Sequence, residues 1–246
     1  EAIKKYMIKG KRVLCTILAR GGSKGVKEKN KVLINDVPLI AYTIVEAKRS
    51  KYIDRIVVST DDKDIIKIAK KYNVEAPFKR PKKFCKNNSN VNGAFFHLLD
   101  WVKKDEKKKY DFIIDLLCTN PLKTSKDIDA VIEKIERTNA DSVIGVSKLE
   151  DHHPIRIKKI INDRIVNFKF KEKPGSNRQS LKPTAYIRNG SIYACRWEKR
   201  KKRVGSKNSR PYVMPTHKSA NIDNELDLII AKQLIKMYPR NYIKKT

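Results

Sequence analysis

The stretch VLCTILARGGSKGVKEKN, residues 13–30, determines how the rest of this 246-residue chain is interpreted. Val13 to Leu18 form an almost entirely apolar run that predicts a buried strand, and a loop rich in glycine, arginine and lysine follows directly. Glycines let backbone N–H groups approach an anion, and cationic side chains neutralise a polyphosphate. The loop matches neither GxxxxGKS/T nor GxGxxG, which excludes a P-loop and a dinucleotide fingerprint. The sequence therefore predicts a phosphate site of another type at the end of the first strand.

Strand and helix patterns alternate after this loop. In chain order they predict a helix over 39–49 with Ile40, Ile44 and Ala47 inward, a strand over 52–59, a helix capped by Asp61 or Asp62, a short strand over 74–78, a helix over 93–103, a strand over 111–117, a helix over 126–137 capped by Ser125, and a strand over 141–146. Such alternation favours an α/β fold with a Rossmann-like, mostly parallel sheet and helices on both faces. Ligands of such sheets bind at the carboxyl ends of the strands.

The pattern changes in the last 100 residues or so. Residues 155–161 and 165–170 predict a β-hairpin around Asn162-Asp163, and residues 186–195 predict another strand. We interpret approximately residues 155–196 as an arm inserted in a single domain of residues 1–246, and a projecting hairpin is a candidate for dimerisation. A final helix over 221–237 is predicted with Leu226, Ile229, Ile230 and Leu234 facing inward.

Lysine and arginine dominate the charge of the chain. They number 57 against 27 acidic residues, a net charge of +30, which ordinarily raises nucleic acid or a membrane surface as a partner. The lysines are spread over nearly every segment, however, and no RNP, zinc-binding or helix-turn-helix pattern accompanies them. We interpret the run KRKKR at 199–203 as a solvated loop in preference to a nucleic-acid patch.

The cysteines and the apolar runs indicate a compartment. Cys15, Cys85, Cys118 and Cys195 are scattered without CxxC or histidine spacing, which argues against zinc and against a disulfide framework. No apolar run approaches 18 residues and the first dozen residues lack a signal-peptide core. The expectation is a protein of the reducing cytoplasm that neither spans a membrane nor is exported.

The loop LARGGSKGVKEKN resembles the nucleotide-binding signature of the acylneuraminate cytidylyltransferases, the CMP-sialic acid synthetases with their legionaminate and pseudaminate relatives. Further stretches match in the same order: IVVSTDD at 56–62, RP at 80–81, NPL at 120–122, HHP at 152–154, RQ at 178–179, NGSIY at 189–193 and IDNELDL at 222–228. The resemblance extends from about residue 13 to 235. It implies an enzyme that converts CTP and a nine-carbon 2-keto acid sugar into CMP-sugar and pyrophosphate, active as a homodimer whose arms contribute to the partner's site.

The resemblance also implies a nucleotide site with a metal. The implied nucleotide-binding residues are Leu18, Ala19, Arg20, Gly21, Ser23, Lys24, Lys29, Asn30 and Arg80, and the implied catalytic residues are Arg20, Lys29 and Asp223. Mg²⁺ is the implied cofactor. The Asp-x-Asp pair of the family is Asn221 and Asp223 here. One carboxylate with one amide oxygen still suits Mg²⁺ that takes further ligands from substrate phosphates. An N-cap role is the alternative for Asp223, and Asp227 is interpreted as structural.

The implied sugar-binding residues are Arg156, Arg178, Gln179, Tyr186 and Asn189. Arg178 and Arg156 are the candidates for the sugar's carboxylate, with Arg178 acting across the dimer, and Tyr186 and Asn189 line the acylamino pocket. His152 or His153 is either a base or a sugar contact, or else structural, and these alternatives stay open. Where sialate-specific members carry Gln-Pro-Thr-Ser before the PLR turn, this chain has Leu-Cys-Thr-Asn before PLK at 121–123. That difference points away from N-acetylneuraminate, and the run RQS at 178–180 points toward a legionaminate-type sugar.

Three other functions are alternatives to the cytidylyltransferase interpretation. A basic nucleic-acid-binding protein would explain the net charge, and binding of arbitrary oligonucleotides with steep salt dependence would favour it. A nucleotidyltransferase for ketodeoxyoctonate or a hexose phosphate would share the phosphate loop. A non-catalytic relative would explain Asn221 and the altered pocket.

Overall fold

A six-stranded sheet grows outward from the strand that precedes the glycine-rich loop. The computed structural model describes residues 8–86, 90–106, 109–149 and 151–243. The strands are β1 (Val13–Leu18), β2 (Leu33–Ile34), β3 (Val37–Pro38), β4 (Arg55–Ser59), β5 (Phe112–Leu116), β6 (Ser142–Lys148), β7 (Lys158–Ile161), β8 (Arg164–Asn167), β9 (Tyr186–Arg196) and β10 (Ser209–Val213). The helices are α1 (Leu39–Arg49), α2 (Lys63–Lys71), α3 (Val91–Asp105), α4 (Ser125–Arg137) and α5 (Glu225–Met237).

The main sheet has the strand order β10-β6-β9-β5-β1-β4. The pairs β1/β4, β1/β5 and β10/β6 are parallel, and β9 runs antiparallel to both of its neighbours. The predicted mostly parallel sheet is thus confirmed, with β9 as a reversed strand in its middle. The carboxyl ends of β1, β4 and β5 meet at one edge, where the loops that follow them converge.

Helices cover both faces of this sheet, as predicted. Ile40, Ile44 and Ala47 of α1 pack with α2 and α4 against Val13, Cys15 and Ile17 of β1. On the other face, α3 packs against alternate strand residues such as Leu14 and Ile113. Successive residues of β1 therefore pack into two different hydrophobic cores, which explains why nearly every residue of the strand is apolar.

The local signals for helix starts are partly right. Asp62 caps α2 by accepting hydrogen bonds from the N–H groups of Asp64 and Ile65 at 2.7 and 3.2 Å. The predicted cap Ser125 is wrong by one residue, because Thr124 forms a capping box with Asp127.

The predicted strand at 74–78 is wrong. In and just after this segment the structure has isolated bridges instead, one between Glu75 and Val57 and one between Lys79 and Thr60.

The inward face of α5 differs from the prediction. Leu226, Ile229 and Ile230 are 65, 56 and 45% exposed, whereas the buried residues of this helix are Leu228, Ala231 and Ile235. Apolar residues surround α5, so periodicity does not select a face. The capping box between Asn224 and Asp227 sets where the helix starts, and packing against α1 and Ile222 selects the face.

The hairpin β7–β8 lies apart from the main sheet as its own two-stranded sheet. Its apolar side chains are uncovered: Ile160 is 74% exposed, Ile165 75% and Phe168 61%. The turn residues Asn162 and Asp163 both have positive φ, as a tight two-residue hairpin turn requires. The predicted hairpin within residues 155–196 is therefore present.

The described part of the chain contains no helix with both the length and the apolar character needed to cross a membrane.

Candidate active site

A cleft of about 1070 Å³ opens where the carboxyl ends of β1, β4 and β5 meet. Its volume suits a nucleotide together with a second substrate. The residues that line it come from the loop after β1, from the segments around Arg80 and Asn92, from the turn after β5, from β9, and from the segments before β10 and before α5. They are Leu18, Arg20, Ser23, Lys24, Gly25, Lys29, Asn30, Arg80, Val91, Asn92, Asp115, Leu116, Leu117, Cys118, Thr119, Ile187, Arg188, Gly190, Tyr193, Lys201, Arg203, Val204, Asn221 and Asp223.

Hydrogen bonds within the loop after β1 hold its shape. The Ser23 hydroxyl donates to the Val26 carbonyl and accepts from the Lys29 N–H at 3.1 Å. The Asn30 amide donates to the Arg20 carbonyl at 2.9 Å, so Asn30 is buried under the loop. The side chains of Arg20 and Lys24 line the cleft. The loop thus presents fixed cations at the end of β1.

The same loop touches the segment before α5. A Cβ atom on Gly25 would lie only 1.8 Å from the Asp223 carbonyl oxygen, so no other residue fits there without displacement. The Lys29 ammonium donates to the Ile222 carbonyl and lies 3.0 Å from Asp223 Oδ1. Residues nearly 200 positions apart in sequence therefore form one side of the cleft.

Asn221 and Asp223 provide oxygen atoms suited to a hard cation. The Asp223 side chain is 68% exposed, because Asn224 rather than Asp223 caps α5. Asn221 donates to Asp223 Oδ2 at 2.6 Å, and its own Oδ1 is buried without a hydrogen-bond partner. Asp227 accepts from the backbone N–H groups of Asp223 and Asn224, which fits its predicted structural role. The exposed Asp223 carboxylate fits Mg²⁺ that takes its other ligands from phosphates and water, whereas the Asn221 oxygen is buried beside Gly190 and would reach the same ion only after its amide group turns over.

Across the described residues, no cluster of three or more His, Cys, Asp or Glu side chains is arranged to hold a metal.

Arg80 forms the wall of the cleft beside β4. It is only 4% exposed, and its guanidinium donates to the Ser59 hydroxyl at 3.0 Å and to the Ser59 carbonyl. Burial lowers the pKa of Arg80.

The predicted nucleotide-binding residues all line the cleft except Ala19 and Gly21. Ala19 is fully buried, and the Gly21 N–H donates to Asp61 at 2.9 Å.

The predicted sugar-binding residues lie outside the cleft lining of this chain. Arg156 is held in the arm by Glu172 at 3.0 Å and by the Ser176 carbonyl at 2.7 Å. Arg178 and Gln179 form a short 3-10 helix in the arm, and Tyr186 is 51% exposed at the start of β9. Asn189 is buried and donates to the Ser219 hydroxyl at 3.1 Å.

The two histidines of the arm region are also outside this lining. His153 contacts the Pro183 carbonyl at 2.9 Å and accepts from the Ile155 N–H, which is a local structural arrangement.

Comparison with known proteins shows the family and the fold of this chain. The pattern of the family described as cytidylyltransferase matches residues 14–213. The chain belongs to this family. The match covers the glycine-rich loop, the sheet and the arm, and it confirms the resemblance found in the sequence.

Two relatives are similar to this protein over nearly the whole chain. Post-translational flagellin modification protein B of Campylobacter coli is 35% identical over 226 residues, which are 91% of this chain and 95% of that protein. CMP-N,N'-diacetyllegionaminic acid synthase of Campylobacter jejuni is 35% identical over 227 residues, 92% of this chain and 95% of that protein. Among solved structures, CMP:2-keto-3-deoxy-manno-octonic acid synthetase complexed with CTP has a TM-score of 0.67 at 15% identity, over 92% of this chain and 99% of that one, which shows the shared fold.

Several cleft residues of this cytidylyltransferase were absent from the sequence prediction. Asp115 and Tyr193 face the cleft from neighbouring strands, and Arg203 reaches it from the end of the KRKKR run. The interpretation of that run as entirely solvated is therefore wrong at Arg203, which is 8% exposed. The sequence contains one signal for this pair, the aspartate inside the apolar run FIIDL at 112–116, because a buried carboxylate needs a cationic partner.

Lys123 holds the turn after β5 through hydrogen bonds to the backbone of that turn. Its ammonium is fully buried and donates to the Leu117 carbonyl at 2.7 Å, to the Thr43 hydroxyl at 3.0 Å and to the Asn120 carbonyl. Burial lowers the pKa of Lys123 to about 8. This lysine therefore shapes the Leu117–Thr119 part of the cleft without lining it.

Proposed function

We propose that this protein transfers the cytidylyl group of CTP to an acidic nine-carbon 2-keto sugar of the legionaminate or pseudaminate type, with release of pyrophosphate. The observation that carries the proposal is the contact between the cationic loop after β1 and the Asn221–Asp223 segment, through Gly25 and Lys29, at a single cleft. Relatives at 35 and 30% identity carry the names CMP-N,N'-diacetyllegionaminic acid synthase and pseudaminic acid cytidylyltransferase. Their names and this geometry support the same reaction.

The residues of the loop account for the chemical step. The anomeric hydroxyl of the sugar attacks the α-phosphorus and pyrophosphate leaves, and such transfers depend mainly on positioning and on neutralising charge. Arg20 and Lys24 bind the β- and γ-phosphates from the cleft wall. Lys29, anchored by the Ile222 carbonyl, holds the charge that develops on the departing pyrophosphate.

Asn221 and Asp223 would hold Mg²⁺ in this proposal. When bound there, the ion neutralises phosphate charge and fixes the orientation of the triphosphate. Asp223 contributes the exposed carboxylate, and Asn221 would contribute its amide oxygen after its amide group turns over, because the amide nitrogen faces Asp223 in this structure.

The proposed enzyme is a homodimer. Exposed apolar residues on the hairpin and on β9 support this proposal: besides Ile160, Ile165 and Phe168, Tyr186 and Ile187 are each 51% exposed. Ile160 and Ile165 are cross-strand partners, so these two exposed side chains are adjacent, and an exposed apolar patch is typical of an interaction site. In a dimer, Arg178 and Gln179 of one protomer's arm would complete the site of its partner.

We also propose the cytoplasm as the location. Cys15, Cys118 and Cys195 are buried free thiols and Cys85 is a partly buried one, as expected of a reducing compartment.

A substrate panel tests the proposal. The enzyme is offered CTP, UTP, ATP or GTP together with diacetyllegionaminate, pseudaminate, N-acetylneuraminate or ketodeoxyoctonate, with and without Mg²⁺, and pyrophosphate is measured. The expected result is release with CTP and a diacetylated nonulosonate only, and only with the metal. Release with ketodeoxyoctonate alone, or with none of the pairs from a folded protein, contradicts the proposal.

A further inference from the structure

A row of three polar side chains adjoins the cleft, and two of its members, Asp115 and Tyr193, line it. Thr16 of β1, Asp115 of β5 and Tyr193 of β9 are register partners on three neighbouring strands. The row two residues earlier, Leu14, Ile113 and Cys195, is apolar and packs under α3. The polar row therefore begins where the core ends and the cleft opens.

Asp115 anchors this row. The carboxylate is 4% exposed, accepts from the Thr16 hydroxyl at 2.9 Å through Oδ1, and accepts from Arg203 through Oδ2. A buried carboxylate with a guanidinium partner is held rigidly, because loss of either partner leaves a buried charge uncompensated. Asp115 thus fixes where Arg203 lies in the cleft.

Arg203 uses only part of its hydrogen-bonding capacity. Nη1 pairs with Asp115, Nη2 makes one long contact of 3.4 Å with Asn92 Oδ1, and Nε is buried without a partner. The guanidinium carbon lies 4.4 Å from the centre of the Phe95 ring, which supports the group from one side. The Nε–Nη2 edge is the one that binds an oxyanion with two parallel N–H donors, and Arg55 uses it in this way on Glu75 at 2.9 and 2.7 Å.

The charge around this edge favours an anion. Arg188 and Lys201 line the cleft with Arg203, and the acidic residues among the described lining residues are Asp115 and Asp223. The cations of the loop after β1 line the same cleft from a different segment of the chain and are suited to the triphosphate. A second cationic group in the same cleft is therefore available for the acidic group of the other substrate.

We propose that Arg203 binds the carboxylate of the acidic sugar through its Nε–Nη2 edge, with Asp115 holding the opposite side of the guanidinium. This inference rests on the proposed function and deepens it, since it names the residue of the same chain that recognises the sugar's charge. The guanidinium fork can bind a carboxylate through two parallel hydrogen bonds, and the phosphates already have the cations of the loop after β1 as partners. Arg156 is already engaged by Glu172 in the arm.

A functional-group comparison tests this assignment. The wild-type enzyme is assayed with the sugar that it accepts and with the C1 carboxamide of the same sugar, which keeps the shape but removes the charge. Loss of a bidentate charged contact is expected to raise KM for the carboxamide roughly 10- to 100-fold over the acid. Equal KM values for the two sugars would overturn the assignment without any variant being made.

Two variants assign the effect to Arg203. Arg203→Lys keeps the charge opposite Asp115 but cannot offer two parallel donors, and Arg203→Gln combined with Asp115→Asn removes both charges together. Both are expected to raise KM for the acid roughly 10- to 100-fold, to leave KM for the carboxamide and for CTP nearly unchanged, and so to erase the discrimination between the two sugars. Lys202→Gln is the matched control, because Lys202 is exposed in the same run and lies outside the cleft lining.

The outcomes separate the two claims. A variant whose KM rises for CTP instead of the sugar would show that Arg203 binds the nucleotide. An equal rise in KM for the acid and the carboxamide would show that Arg203 has a merely structural role. Either result overturns the carboxylate assignment while the cytidylyltransferase proposal stands. Absence of turnover by the wild-type enzyme with every acidic sugar would overturn the proposed function, and this assignment with it.

Discussion

Gly25 offers the sharpest test of how the site is assembled. The glycine lies in the loop after β1 and packs against the backbone of Asp223, so that a Cβ atom would be 1.8 Å from the Asp223 carbonyl oxygen and 2.9 Å from its carbonyl carbon. Real Cβ atoms almost never approach another heavy atom closer than 3.0 Å. Because the obstacle is backbone, Gly25→Ala must move the loop and the Asn221–Asp223 segment apart.

The size of the displacement follows from these distances. The methyl carbon and the oxygen must separate by about 1.2 Å to reach 3.0 Å. A misplacement of roughly 1 Å in a site that works by positioning costs about 100-fold in kcat/KM, or about 2.7 kcal/mol of transition-state stabilisation. Overpacking itself destabilises the fold by about 1–3 kcal/mol, so Tm falls by roughly 2–12 °C.

Gly22→Ala is the matched control. Gly22 lies in the same loop and has no atom within 4 Å of the position where its Cβ would be. Pyrophosphate release at several CTP and Mg²⁺ concentrations is measured for both variants, with thermal unfolding alongside. We expect Gly25→Ala to lose about 100-fold in kcat/KM and Gly22→Ala to lose less than about threefold. Equal activity of the two variants would refute the claim that contact between loop and segment builds the site.

Three further predictions concern the metal, the buried lysine and the arm. Asp223→Asn removes the carboxylate of the pair and should lower kcat/KM at least about 100-fold, whereas Asn221→Asp adds one and should lower the Mg²⁺ concentration for half-maximal rate about tenfold; unchanged metal dependence in both would contradict the site. Lys123, whose pKa burial lowers from 10.5 to about 8, binds fewer protons in the folded than in the unfolded state between these pH values. Wild-type stability should therefore rise by up to about 3 kcal/mol between pH 8 and 10.5 relative to Lys123→Met, and parallel urea-denaturation curves over this range would refute the shift. Ile165→Glu on the hairpin should convert a dimer into a monomer by light scattering, while the exposed Lys159→Gln should not; a monomeric wild type would contradict the dimer.

The part of the fold that local chemistry dictates could be predicted from the sequence. The run from Val13 to Leu18 is apolar on both sides because both faces of β1 are covered. Asp62 caps α2 because a carboxylate at that position satisfies two free backbone N–H groups. Gly25 and Lys29 were recognisable because phosphate binding needs glycine and cations in one loop.

Features that depend on long-range packing could not be predicted in this way. The apolar residues of α5 surround the helix, and only its contact with α1 and Ile222 decides that Leu228 is buried and Leu226 is exposed. Arg203 looks like its four basic neighbours in sequence, and it becomes distinct only because Asp115 lies within reach in the folded chain. Residues 87–89, in the loop between Arg80 and α3, lie outside the described residues.

One isotope experiment tests the central claim most directly. The accepted sugar is labelled with ¹⁸O at its anomeric hydroxyl, incubated with the enzyme, CTP and Mg²⁺, and both products are analysed by mass spectrometry. If the sugar oxygen attacks the α-phosphorus, the label appears in the CMP-sugar and none appears in pyrophosphate. Label lost to water, label found in pyrophosphate, or absence of CMP-sugar would contradict the account.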